Sequence, residues 1–208
     1  VSIAGIFVGT VMAIYEKDIK ILFAQSSVAQ IGYISLGFGL ASKASVSASF
    51  IHIGNHALIK GGLFMAVGSF AVALGSRANM NSFIGVGRRM PITSAAFMIC
   101  ALSLAGLPLT AGFISKLYLI RAILAEDAYL IAALVLLSSA LSLIYLWKIV
   151  EVMWMQPAPT LTPVLTENPA IYLPVWIAAL ANIWFGIDAS WLLSAAQNAA
   201  VVLVGGAF

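Results

Sequence analysis

The sequence predicts an all-α fold, a polytopic bundle of transmembrane helices. Three observations carry this. Hydrophobic residues make up 62% of the 208-residue chain, and mean hydropathy is +1.08. Only 8% of residues are charged, against about 25% in a soluble domain. The apolar residues fall in unbroken runs of the length that hydrocarbon demands, roughly 20 residues, without the strict alternation of an outer-membrane barrel.

Composition also excludes several functions. Ten Lys/Arg against seven Asp/Glu form no basic cluster of the kind nucleic acid requires. The single cysteine, Cys100, sits in an apolar run. It excludes an internal disulfide framework and a thiolate metal cluster built from this chain. The chain begins at Val1 and is apolar at once, without the basic start of a signal peptide. We expect a piece of a longer chain, with a processed terminus as the alternative.

Each element follows from local pattern. Val1 to Tyr15 is a helix end whose Ala4, Gly5 and Gly9 permit close packing. Glu16-Lys17-Asp18 marks a loop. The next span, Ile19 to Ala41, carries Ser26, Gln30 and Tyr33 on one stripe. Interhelical hydrogen bonding and a proton path account for that stripe equally well. Ser45 to Leu74 is longer than a simple crossing needs, which implies tilt, irregularity or extension past the hydrocarbon. Arg77 to Met90 is a polar loop, and Pro91 suits the first position of a helix. Ala128 to Met155 is another long span, with Lys148 and Glu151 reading as an interfacial ion pair. A loop from Gln156 to Asn168 carries Pro157, Pro159 and Pro163, and Pro169 to Gly186 is a further span. Ser190 to Val204 can span, lie at the interface or pack on a neighbour.

Ile92 to Ala125 is interrupted by Gly106-Leu107-Pro108-Leu109 and Gly112. It is either two short spans or one discontinuous span. Loop charge favours one. A single crossing puts Lys17, Lys20, Arg77, Arg88, Arg89 and Lys148 on one side and Lys43, Glu126 and Asp127 on the other. Positive residues favour the cytoplasm, so loops 16–20 and 76–90 are expected there. Broken helices at membrane depth line cavities, and Lys116 follows this break.

The stretch FIHIGNHALIKGGLF, residues 50–64, organises the rest. His52, His56 and Lys60 recur every four residues and so share one helix face. Lys60 lies roughly 20 Å from either helix end, and a lysine reaches about 6 Å, so it cannot snorkel. Basic groups this deep are costly and usually functional. Histidine titrates near neutrality, and lysine does so when desolvated or near another cation. His52, His56, Lys60 and Lys116 thus make a proton relay in which charging one site pushes a proton from the next. A structural role stands beside transport at each. A lone histidine can simply hydrogen-bond its neighbours, and a broken helix can hold the Lys116 ammonium on its carbonyls. His-x3-His can bind zinc, but the helix offers no carboxylate or thiol partner and Lys60 repels a cation. Both imidazoles leave one face, which does not suit a bis-histidine haem. No hydrolytic triad or phosphate loop is present, so no active site, cofactor or metal is expected in this chain.

Three runs carry a family resemblance: KDIKILFAQSSVAQIGY (17–33), HIGNHALIKGGLF (52–64) and MPITSAAFMICALSLAGLPLTAGFISK (90–116). Together they resemble the antiporter-like membrane subunits of respiratory complex I, membrane-bound hydrogenases and Mrp-type sodium/proton antiporters, over about residues 1–151. The NHALIKGG and GLPLTAGFISK forms are most similar to the Mrp D subunit and its hydrogenase relatives. The resemblance implies two inverted repeats, of which this chain holds the second, and a first repeat with its own lysine and glutamate that is missing here. It implies that Lys60 is the central lysine of a half-channel, that His52 and His56 precede it, and that Lys116 is the terminal lysine at the break, where some relatives carry glutamate. Lys20 matches a lysine of the family whose role is in the loop or in transport. Residues 1–155 would form the translocating domain and 156–208 a loop with additional membrane helices. The expected setting is a bacterial or archaeal plasma membrane. The expected partners are other membrane subunits, the lipid bilayer, protons and sodium, with any redox chemistry on those other subunits. A non-translocating subunit, whose buried lysines only fix packing, is the alternative.

Overall fold

The computed structural model describes the chain except residues 76–77, 158–164, 166 and 206–208. Arg77, Pro159 and Pro163, assigned above to loops, lie outside the described residues. Among the described residues the structure is helical, apart from one antiparallel bridge between Asp18 and Asn79.

Helix α1 covers Ser2–Tyr15 and α2 Ile19–Leu40. The Asp18 carboxylate starts α2 by accepting from the Lys20 and Ile21 amides at 2.9 and 3.2 Å, an N-cap that also suits the helix dipole. Glu16 accepts from the Lys17 and Asp18 amides. The Asp18 amide, then that of Lys17, hold its carboxyl below the usual carboxylate range. Helix α3 is Lys43–Leu74, two residues longer at its start than the sequence suggested, because Ser42 and Ser45 form a capping box. At 32 residues it is about 48 Å long, well beyond the roughly 30 Å of hydrocarbon. It packs against five other helices and is the axis of the bundle.

After a short 3₁₀ turn, Met80–Phe83, and the one-turn helix α4, Val86–Arg89, come α5, Pro91–Ala105, and α6, Ala111–Ala125. Each half-helix of 15 residues is about 22 Å long, too short to cross alone. The two ends of the bundle show that together they cross once. The amide of Ile19 donates to the Ala78 carbonyl, and that of Met80 to the Lys17 carbonyl, so the loops after α1 and α3 share one end. Arg88 donates to the Trp154 carbonyl and Lys148 to the Ile14 carbonyl, each at 2.6 Å, at that same end. The α6 terminus, Ala125, shares a cleft with Lys43 at the other end. Lys148 therefore binds a backbone carbonyl rather than Glu151.

The break has a defined cause. Gly106, at φ 87°, caps α5 by donating to the Leu102 and Ser103 carbonyls, a left-handed stop that glycine adopts without penalty. Leu109 also has positive φ, 68°, which costs about 1–3 kcal/mol in a residue with a side chain. The Gly112 amide then donates to Ser103 Oγ, which donates to Asn182 Oδ1 at 2.8 Å. Asn182 is fully buried on α8, Pro169–Ile187. Gly186 of α8 presses on the Leu109 and Thr110 backbone. Helix α8 thus clamps both sides of the break.

Helix α7 is Tyr129–Val150, followed by a π turn, Glu151–Met155, that ends the regular helix before the span expected from sequence. Glu167 caps α5 from outside, accepting from the Ile92 and Thr93 amides. Helix α9, Ser190–Gly205, packs along the first half of α3, with Leu192 against Gly54. It thus packs on a neighbour, as one of the expected placements required. Large apolar side chains such as Val72, Leu130, Ile177 and Val202 remain exposed on the outer faces, as lipid contact requires.

A Cβ at Gly112 would overlap the Ser103 carbonyl oxygen, which is rigid backbone. Gly112→Ala is therefore expected to destabilise the bundle by about 1–3 kcal/mol, read as a lower midpoint in thermal unfolding of the detergent-purified chain.

Candidate functional site

The basic residues singled out in the sequence converge around α3. Lys60 is 6% exposed and lies about 21 and 26 Å from the two ends of its helix. Its Nζ donates to the Phe23 carbonyl at 2.6 Å and to Ser26 Oγ, and it lies 5.3 Å from the Phe23 ring centroid. The seat is written in FAQSS. Ser26 and Ser27 both turn their hydroxyls back to the Phe23 carbonyl, at 3.0 Å each, so this carbonyl collects three side-chain donors. A lysine at membrane centre costs about 2.5–3.5 kcal/mol on an insertion scale. A hydrogen bond to a charged group returns about 1.5–3 kcal/mol. Two such bonds roughly offset the cost, so the ammonium needs no carboxylate. All seven acidic residues lie in loops or at helix ends.

Two turns earlier, His52 is buried at 2% exposure. Its Nδ1 lies 2.8 Å from Ser115 Oγ on α6 and its Nε2 3.1 Å from Gln30 Oε1 on α2. Both ring nitrogens are thus taken by protein, which leaves none for a metal. His56 stacks on His52 with ring centroids 6.4 Å apart, and its Nε2 is buried without a protein partner. Asn55, between them in sequence, donates to the Ala111 carbonyl at the start of α6.

Lys116 sits where the helix break creates acceptors. The last carbonyls of a helix lack intrahelical partners. In α5, Gly106 and Leu107 take the Leu102 and Ser103 carbonyls. Lys116 Nζ takes the next two, Leu104 and Ala105, at 3.0 and 3.2 Å, at the negative end of the α5 dipole. Tyr33 lies beneath it, 5.5 Å from ring centroid to Nζ, and sits edge-on to His52. The Tyr33 hydroxyl pairs with Ser138 of α7 at 2.8 Å.

The structure therefore brings together Ser26, Gln30, Tyr33, His52, His56, Lys60 and Lys116. Lys20 is not among them. It is exposed on the first turn of α2. Sequence reasoning passed over Ser115, which adjoins Lys116 in GFISK, and Asn182, a lone amide in an apolar span. Each was legible as a polar residue inside hydrophobic sequence. What it touches depends on contacts 63 and 79 residues away.

A family model described as NADH:quinone oxidoreductase/Mrp antiporter, transmembrane, matches residues 1–142. The chain is 38% identical over 156 residues to NADH-quinone oxidoreductase subunit N of Desulforudis audaxviator, covering 75% of this chain and 31% of that relative. It superposes on a chain of the Mrp complex from Dietzia sp. with a TM-score of 0.91 at 24% identity, covering 100% of this chain and 47% of the other, a likeness of fold. It also superposes on a chain of the membrane-bound sulfane sulfur reductase, an archaeal respiratory membrane complex, with a TM-score of 0.88 at 29% identity, covering 98% and 41%. The chain spans 31–42% of the length of the first curated relatives it matches. With four helices among the described residues long and apolar enough to cross a membrane, it is a multi-pass membrane protein, and it belongs to the NADH:quinone oxidoreductase/Mrp antiporter transmembrane family.

Proposed function

We propose that this chain carries the proton path of a membrane subunit in a multi-subunit cation/proton antiporter or redox-driven proton pump. The observation that carries the reading is Lys60, buried at mid-span and held only by neutral acceptors. Its ammonium is near energetic balance, so a neighbouring charge can move its proton. His56 and His52 continue the line toward Lys116, with water bridging the intervals. Residues 1–155 hold this path. Residues 156–208 add helices that brace it, α8 at the break and α9 along α3. Other membrane subunits are the partners, protons and sodium the cargo, and redox chemistry belongs elsewhere in the complex.

A second reading has support of its own. Both lysines bind backbone carbonyls, as purely structural caps would. Lys60→Ala in the assembled complex separates the two. With assembly intact, proton flux into vesicles is expected to fall at least tenfold, about 1.4 kcal/mol of barrier. Unchanged flux would overturn the relay, and loss of assembly would support the structural role.

The proposed setting is the plasma membrane of a bacterium or archaeon, with loops 16–20 and 76–90 in the cytoplasm. Among the described residues, Lys17, Lys20, Arg88, Arg89 and Lys148 lie at that end. Lys43 and Arg121 lie at the other, with Glu126 and Asp127. With Arg121 included, five basic residues against two favours this orientation. Cys100 is buried, so introduced thiols report cleanly. Asn81→Cys should react with an impermeant maleimide only from the cytoplasmic side, and Glu126→Cys only from the opposite side.

A further inference from the structure

Ser115 has one hydroxyl proton and two acceptors in range. His52 Nδ1 is 2.8 Å from its oxygen, and the Gly112 carbonyl is 3.2 Å away. On its far side, His52 Nε2 faces Gln30 Oε1, an acceptor that holds a proton on Nε2 in every state. Protonation of His52 therefore changes only Nδ1. We propose that Ser115 is a positioning residue whose hydroxyl rotates between two hydrogen bonds, so that His52 stays fully bonded whether neutral or protonated.

In the neutral state Nδ1 is a lone pair, and Ser115 donates to it. In the protonated state Nδ1–H donates to Ser115 Oγ, and the hydroxyl proton turns to the Gly112 carbonyl. The proton is taken from hydronium of the path, leaving water, and is returned in the reverse step. No heavy atom need move. Ser115 is fully buried, and an unpaired donor there would cost about 1–3 kcal/mol. The rotation avoids that cost in both states. Because Nδ1 faces α6, His52 exchanges its proton on the Lys116 side. Ser115 also ties the charge state of His52 to the first turn of α6, just after the break.

Other ionisable groups around His52 are few. Tyr33 faces it from α2 and Lys116 from α6, while His56 and Lys60 share its helix. Of the other helices on α3, α5 brings only the Cys100 thiol, against Gly62. Helix α8 brings only Tyr172 in its first turn, and α9 has no ionisable side chain.

This inference rests on the proposed relay, yet it can be tested without flux. The chain has two histidines, so ¹⁵N-histidine labelling of the full chain in lipid bilayers yields two imidazoles, told apart by His56→Gln. Ser115→Ala removes the acceptor of Nδ1–H, and charge-assisted bonds are about twice as strong as neutral ones. The protonated form should lose more, and the His52 titration midpoint should move down by about one pH unit, tenfold in proton affinity. Its neutral Nδ1 signal should shift to that of an unbonded lone pair. Ser115→Thr keeps the hydroxyl and should restore both. If Ser115→Ala does not insert, Ser115→Cys, a weaker donor and acceptor, should shift the midpoint the same way by less. A His52 midpoint and Nδ1 signal unchanged in Ser115→Ala or Ser115→Cys would overturn the proposal. Failure of the relay itself would appear separately, as normal flux in Lys60→Ala.

Discussion

Backbone carbonyls at membrane depth hold this bundle's charges. Nothing acidic accompanies Lys60 or Lys116 inside the spans, so their ammonium groups depend on neutral oxygens of the neighbouring helices. At Lys116 these are the Leu104 and Ala105 carbonyls, left over because α5 stops at Gly106. At Lys60 it is the Phe23 carbonyl, inside the unbroken α2 helix, joined by the hydroxyl of Ser26. In hydrocarbon an unsatisfied carbonyl and an unpaired ammonium are each costly. At the break each removes the other's cost, and the rest of the packing keeps the two together.

That dependence explains the architecture around the break. Asn182 and Ser103 chain α8 to the Gly112 amide, and Gly186 lets α8 close on the Leu109–Thr110 backbone. Without such a clamp, five residues of irregular backbone would face lipid with unpaired groups. The clamp also fixes α6 relative to α3. This sets Ser115 against His52 and Asn55 against the Ala111 carbonyl. A helix outside the matched family region, which ends at residue 142, therefore holds the geometry of the site within it.

The polar interior falls into two parts. Lys60 lies beside an aromatic core of Phe23, Phe70, Phe83 and Phe97. His52, Tyr33 and Lys116 border a smaller core that includes Leu36, Leu119 and Val135. His56 stands between the two groups, stacked on His52, with one ring nitrogen unpaired. The four-residue spacing keeps the basic residues of α3 apart, so Lys60 and His52 bind separate partners, as Lys116 does on α6.

The sequence by itself determined the membrane class, the helix boundaries to within a few residues, the break between α5 and α6, and the depth of Lys60. These follow from local rules: hydropathy, glycine and proline placement, capping residues and the rise of a helix. The motifs in its first three-quarters also identified the family. Tertiary structure alone decided what each buried polar group touches. Gln30, Ser115 and Ser138 reach their partners across sequence gaps that no helical period encodes, and Lys148 found a carbonyl of α1 instead of Glu151 one turn away. Tertiary structure also left Lys20 at the surface, since the Asp18 cap fixes where α2 begins. Helix α9 shows the same limit. Its composition named no neighbour, and tertiary packing set it against the first half of α3.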